Sequence, residues 1–180
     1  LIKDGFEVAA MDINKTTMDE LIEKIPSGMQ PYVCDQTDED ATRKTVTRIE
    51  TEMGPIHALV NTIGWVGTTR FMEEDSDYWR KVIAINLESV LYVTHAVLKN
   101  MIDRQQGTIC NVASDAGRVG TSGEAVYSAC KAGIIGLCKS LARENARYNI
   151  NVNAVSPGPT QTPLLQAEIE ENPDLIRRMT

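Results

Sequence analysis

Short apolar runs alternate along this chain with longer stretches in which apolar residues recur at helical spacing. Runs at 6–11, 30–34, 58–61, 108–113 and 150–155 end in polar or turn-forming residues and read as strands. Between them the pattern predicts a helix over 16–25, closed by Pro26, Ser27 and Gly28. A second helix spans 37–52, starting on the capping run Thr37, Asp38, Glu39, Asp40 and stopped by Gly54 and Pro55. A third covers 75–104, with Trp79, Val82, Ile83, Ile85, Leu87, Val90, Leu91, Val97 and Leu98 at helical spacing. Asn86 interrupts its apolar face, and a buried amide there must find hydrogen-bond partners. A fourth helix runs over 124–148, and a polar helical segment broken by Pro173 occupies 163–180. Residues 1–5 read as the last turn of a helix capped by Gly5.

Strand and helix alternate throughout, so the fold class is α/β. The expected architecture is a Rossmann-like, doubly wound parallel sheet with right-handed crossovers and helices on both faces, in a single domain over 1–180. In such a sheet an acid ending the second strand accepts hydrogen bonds from an adenosine ribose and repels a 2′-phosphate. Asp12 takes that position, and its neighbours Met11 and Ile13 bring no cation, which favours NAD over NADP.

Composition narrows the function classes. The 180 residues suit one domain with a core, and 42% hydrophobic with 24% charged residues is ordinary for a globular protein. A net charge of −7 argues against a nucleic-acid partner. No apolar run approaches membrane-spanning length and no signal peptide opens the chain, so the protein is expected in the cytoplasm, away from membranes. Cys34, Cys110, Cys130 and Cys138 form no C-x-x-C pair and lie in apolar elements, as reduced buried thiols do. No metal site is expected, and the isolated His57 and His95 read as structural.

Chemistry concentrates in residues 114–131, S-D-A-G-R-V-G-T-S-G-E-A-V-Y-S-A-C-K. On a helix Tyr127 and Lys131 are i,i+4 neighbours. An ammonium near a phenol favours the phenolate and brings its pKa from about 10 toward the working range. Taken alone, Y-x-x-x-K is a common helix-surface pair. Here Ser114 ends a strand on the same side, able to hold a substrate oxygen beside the phenol, and together the three residues suit proton transfer to a carbonyl or from an alcohol. Gly117, Gly120 and Gly123 are spaced G-x-x-G-x-x-G between strand and helix, which reads as a flexible substrate-side loop and not a phosphate cradle.

The Ser114, Tyr127, Lys131 arrangement resembles that of the short-chain dehydrogenase/reductase family, and the likeness extends along nearly the whole chain. The family's Asn-Asn-Ala-Gly turn is here Asn61-Thr-Ile-Gly64, which keeps the first Asn and the Gly. Asn86 in Ile-Ala-Ile-Asn-Leu and the run Pro157-Gly-Pro-Thr-Gln-Thr162 also match family segments. The resemblance implies a catalytic set of Asn86, Ser114, Tyr127 and Lys131, with Asn86 supporting a water relay. It implies NAD(H) contacts from Asp12, Asp35, Asn61, Gly64, Tyr127, Lys131, Pro157, Gly158, Thr160 and Thr162. Substrate would meet Ser114, Trp65, Val119 and Tyr127, under a lid at 163–180, although a Trp in the 65–69 loop reads equally as a packing anchor. The implied reaction interconverts a small-molecule secondary alcohol and a ketone. Within the family, 112–127 and the Pro157 segment look most like members acting on a cyclic 2-hydroxyacyl-CoA thioester. Reductases of 3-oxoacyl thioesters and dehydrogenases of free secondary alcohols are the alternatives, and a catalytically silent assembly subunit is the alternative of another class. Small residues on the 124–148 helix (Ser128, Ala129, Ala132, Gly133, Gly136) fit a family homotetramer, with tight packing inside one subunit as the competing explanation. The family's first strand with its Gly-rich turn, and its last helix and strand, are expected to lie outside this sequence, since a sheet without its central strand has open edges.

Overall fold

The computed structural model describes residues 1–25, 27–161, 166, 169 and 170. In chain order the elements are β1 (Val8–Asp12), α1 (Lys15–Lys24), β2 (Met29–Val33), α2 (Glu39–Met53), β3 (Ala58–Asn61), α3 (Ser76–Ile83), α4 (Ser89–Arg104), β4 (Gly107–Val112), α5 (Ala116–Val119), α6 (Ala125–Asn145) and β5 (Ile150–Val155). Every strand and helix expected within the described residues forms, most within two residues of its expected ends. Side-chain caps set several of the starts: Asn14, Asp38 and Asp75 each accept a backbone N–H from the first turn of α1, α2 and α3. β1 begins at Val8 rather than Phe6 because the Phe6 N–H is spent on the Leu1 carbonyl, 3.2 Å away, closing the preceding turn.

The strands pair in two sheets, β1–β2 and β3-β4-β5. β1 and β2 run parallel, with Asp12 opposite Val33. The chain's contacts divide it into two compact units, the first made of 1–59, 88–109 and 145–151, the second of 60–87, 110–144 and 152–180. In the first, Val46 and Ile49 of α2 and Val93, Val97 and Met101 of α4 are buried, together with Met18 and Tyr32. Glu50 on α2 accepts from Asn100 and Arg104 of α4, and Arg104 also donates to the Ile56 carbonyl at 2.7 Å, tying the two helices to the approach to β3. In the second, Val82, Ala116, Cys130, Ile134, Cys138 and Val152 are buried. The C-terminal ends of β3, β4 and β5 belong to this second unit.

The long third helix departs from the simple pattern. α3 and α4 are joined by a π turn at Ala84–Glu88, and Asn86 sits in it. The continuous helical region Ser76–Arg104 is long and apolar enough, by length and composition, to cross a membrane, contrary to the sequence expectation. Its apolar residues Val82, Val90, Val93, Val97 and Met101 are buried against protein, so core packing accounts for that composition.

Candidate active site

β4 delivers Ser114 at the end of the Ile109-to-Ala113 run, and the backbone around it is pinned from β5. The Ala113 N–H donates to the Val155 carbonyl at 2.8 Å and the Asp115 N–H to the Pro157 carbonyl at 2.9 Å. The Ser114 hydroxyl oxygen accepts from the Ala116 N–H at 3.2 Å, and its carbonyl from the Gly117 N–H at 3.0 Å. α5 therefore starts on the serine itself. The segment carrying Gly117, Gly120 and Gly123 is not a flexible loop throughout, as the spacing of its glycines suggests. A Cβ on Gly117 would lie 2.6 Å from the Lys131 carbonyl carbon and 2.7 Å from the Ala132 nitrogen. Glycine lets α5 sit directly on the backbone of α6.

Lys131 is the most constrained group of the second unit. Its side chain leaves α6 one turn after Tyr127 and is 3% exposed. Its Nζ donates to the Val112 carbonyl at 3.0 Å and to the Ile63 carbonyl at 3.4 Å, and stands 5.6 Å from the Tyr127 ring centroid. Burial pushes the Lys131 pKa below the ordinary lysine range, with the neighbouring Cys130 thiol opposing.

Asn86 closes the same corner. Fully buried, it donates from Nδ2 to the Trp65 carbonyl at 2.7 Å and the Val82 carbonyl at 2.9 Å, and Oδ1 accepts from the Trp65 N–H at 3.1 Å. The π turn gives up regular helix bonding here and turns the amide toward the β3–α3 connection. A Cβ on Gly64 would lie 3.2 Å from Asn86 Oδ1 and 3.3 Å from Lys131 Nζ, so this turn approaches both side chains with bare backbone.

A buried polar chain beneath these residues was not foreseen from the sequence. Asn61 Nδ2 donates to Asn111 Oδ1 at 2.7 Å, and Asn111 Nδ2 to the Cys138 sulfur at 3.1 Å. The Cys138 thiol in turn donates to the Asn153 carbonyl at 3.5 Å. β3, β4, α6 and β5 are thus linked side chain by side chain, and burial pushes the Cys138 thiol pKa up. The available signal was Asn111 itself, an amide in the middle of a strand that otherwise reads as buried. All four cysteines are free, and Cys110 is half-buried where a buried thiol was expected.

The remaining site residues divide between the units. In the first, Asp12 and Asp35 lie at or just beyond the C-terminal ends of the paired strands β1 and β2. Asp12 Oδ1 accepts from the Asn14 N–H at 2.8 Å. Asp35 accepts from the Thr37 hydroxyl at 2.7 Å and the Thr37 N–H at 2.9 Å, bonds that hold its carboxyl below the usual carboxylate range. Two exposed acids on one sheet edge suit the hydroxyls and amine of an adenosine. In the second, Pro157 and Gly158 follow β5, and the exposed Thr160 donates its hydroxyl to the Gly158 carbonyl at 3.0 Å. Val119, 76% exposed, ends α5. Thr162 lies outside the described residues, as does the expected lid at 163–180 apart from 166, 169 and 170.

The seat of α5 gives a direct test. Gly117→Ala should force α5 off α6, lowering stability by about 1–3 kcal/mol and catalytic turnover with it. Unchanged denaturant unfolding would show that the close approach is not needed.

Comparison with known proteins places this geometry. Residues 1–173 match the family model described as short chain dehydrogenase. The chain is 38% identical over 167 residues to a 3-oxoacyl-[acyl-carrier-protein] reductase of Thermotoga maritima, covering 91% of this chain and 68% of that protein. It is 38% identical over 144 residues to an acetoacetyl-CoA reductase of Shinella zoogloeoides, covering 80% and 60%. Among solved structures, a gluconate 5-dehydrogenase from Burkholderia cenocepacia in complex with NADP and tartrate superposes with a TM-score of 0.86 at 26% identity, over 95% of this chain and 68% of that one. The chain thus spans between three-fifths and seven-tenths of these relatives' lengths. It belongs to the short-chain dehydrogenase family.

Proposed function

We propose that the protein is a nicotinamide-dependent oxidoreductase that reduces the ketone of a 3-oxoacyl thioester to the secondary alcohol. The observation that carries this is a buried lysine one helical turn from Tyr127, held by two backbone carbonyls, one of them two residues before Ser114 at the end of β4. Ser114 binds the substrate oxygen through its hydroxyl. Tyr127 gives that oxygen its proton in the reductive direction and takes it back in the oxidative one. Lys131, as an ammonium, favours the phenolate partner of that exchange. The π turn at Asn86 opens the helix beside Lys131, and water reaching it there returns the proton to solvent. The nicotinamide, when bound, supplies or accepts the hydride at the carbon.

The thioester substrate is supported by the relatives named above, one a carrier-protein thioester reductase and one a CoA thioester reductase. A cyclic 2-hydroxyacyl-CoA, suggested by the resemblance of the 112–127 segment, becomes the second arm of a substrate panel. NAD(H) is the proposed cofactor, because Asp12 places an anion where a 2′-phosphate would need a cation. Assembly as a homotetramer belongs to the same proposal, since Ala129, Ala132, Gly133 and Gly136 leave an exposed side of α6 nearly bare.

Two variants of the full-length protein test the reading. Tyr127→Phe should lower kcat with acetoacetyl-CoA by about 10²–10⁴-fold while NADH binding, followed by fluorescence titration, is retained. Activity near wild type would remove Tyr127 from the mechanism, and wild-type silence with linear and cyclic thioesters and free alcohols would favour a non-catalytic subunit. Asp12→Asn should move the kcat/KM ratio for NADPH over NADH upward by roughly tenfold, the effect of about 1.4 kcal/mol. An unchanged ratio would mean that another group sets the cofactor preference.

A further inference from the structure

The β3–α3 connection of the second unit carries a cluster that proton transfer alone does not employ. Lys81 Nζ stands 3.7 Å from the centroid of the Trp65 ring. The Tyr78 ring meets the same indole edge-on, at 5.9 Å and 62°. The Tyr78 hydroxyl donates to the Gly67 carbonyl at 2.6 Å, two residues further along the connection. Trp65 is thus gripped on its ring face by Lys81, on its ring edge by Tyr78, and on both its N–H and C=O by Asn86. Successive turns of α3 and the π turn supply all three. The adjacent Arg80 pairs with Asp77 at 2.6 Å, while the Lys81 ammonium is turned onto the indole.

What this grip controls lies one and two residues upstream. A Cβ on Gly64 would lie only 3.3 Å from Lys131 Nζ, and the Ile63 carbonyl accepts from that nitrogen at 3.4 Å. A contact of that length is at the outer limit of a hydrogen bond, so a few tenths of an ångström decide whether it exists.

We propose that Lys81 and Trp65 are positioning residues: the cation on the indole seats the β3–α3 turn, and the seated turn holds Lys131 in place through Ile63 and Gly64. The inference rests on the role proposed above for Lys131. Trp65, expected from the sequence to border substrate, then acts chiefly through its neighbours. The ring face attracts the ammonium of a flexible, exposed lysine, and exchanging the ammonium for a methyl-terminated chain removes the attraction while keeping the packing.

A double-mutant cycle in the full-length protein tests this, using Lys81→Met, Lys81→Arg, Trp65→Leu and the Lys81→Met/Trp65→Leu pair. Lys81→Met should change the tryptophan emission, lower kcat with acetoacetyl-CoA by about two- to fivefold, and move the pH profile of kcat. Its KM should change little. Lys81→Arg should restore all three, and in the Trp65→Leu background Lys81→Met should have no further effect. Altered emission with kcat and its pH profile unchanged would overturn the inference, whatever happens to the melting temperature. So would unchanged emission, a loss that arginine does not rescue, or additive losses in the double variant. Wild-type silence across the thioester panel would instead sink the proposed reaction, and this inference with it.

Discussion

The second unit is organised by the cost of burying one ammonium. A lysine side chain removed from water needs oxygen atoms around its nitrogen, or it loses its proton. Lys131 finds two backbone carbonyls, one from the end of β4 and one from the turn after β3. Gly64, in the turn whose Trp65 is bonded to Asn86, passes the Lys131 nitrogen with bare backbone, while Gly117 packs on the α6 backbone at Lys131 and Ala132. The arrangement works against stability. Because burial holds the Lys131 pKa down, the unfolded chain binds that proton more tightly than the folded one. The penalty is present at low and neutral pH and lifts as pH rises toward the ordinary lysine range. In the proposed mechanism that cost is offset by what the ammonium does to Tyr127.

Beneath that point the Asn61–Asn111–Cys138 chain joins the strand ends that carry the turn at Gly64, the Ser114 loop and the exit toward Pro157. Buried amides bonded to one another favour one register over its neighbours, since a slip of one residue would break those bonds. The same strands thereby become a rigid base for side chains that must meet at hydrogen-bond distances.

Much of this was legible in the sequence because it depends on local pattern. Strand runs ending in Asp12, Asn61 and Ser114, and the i,i+4 spacing of Tyr127 and Lys131, are properties of short segments. The features that were not legible depend on contacts between segments distant in the chain. Nothing in residues 117–123 alone says that Gly117 touches the backbone of Lys131, so a packed turn read as a loose one. Asn86 was visible as a break in an apolar face, yet the π turn that uses it is set by the Trp65 peptide twenty-one residues away. Cys138 looked like an inert core thiol until Asn111 was seen beside it. The apolar length of Ser76–Arg104 emerges only when its two helices and the π turn are joined, with Val82, Val90, Val93, Val97 and Met101 buried along it.

The interaction on which the rest turns is that between the Lys131 ammonium and the Tyr127 phenol, and it can be titrated directly. In full-length protein carrying ¹³Cζ-labelled tyrosine, the Tyr127 signal, assigned by its absence in Tyr127→Phe, would be followed with pH in the wild type and in Lys131→Met. The proposed mechanism predicts that Tyr127 ionises at lower pH in the wild type than in the variant. A Tyr127 titration that Lys131→Met leaves in place would contradict the proton-transfer role assigned to this pair.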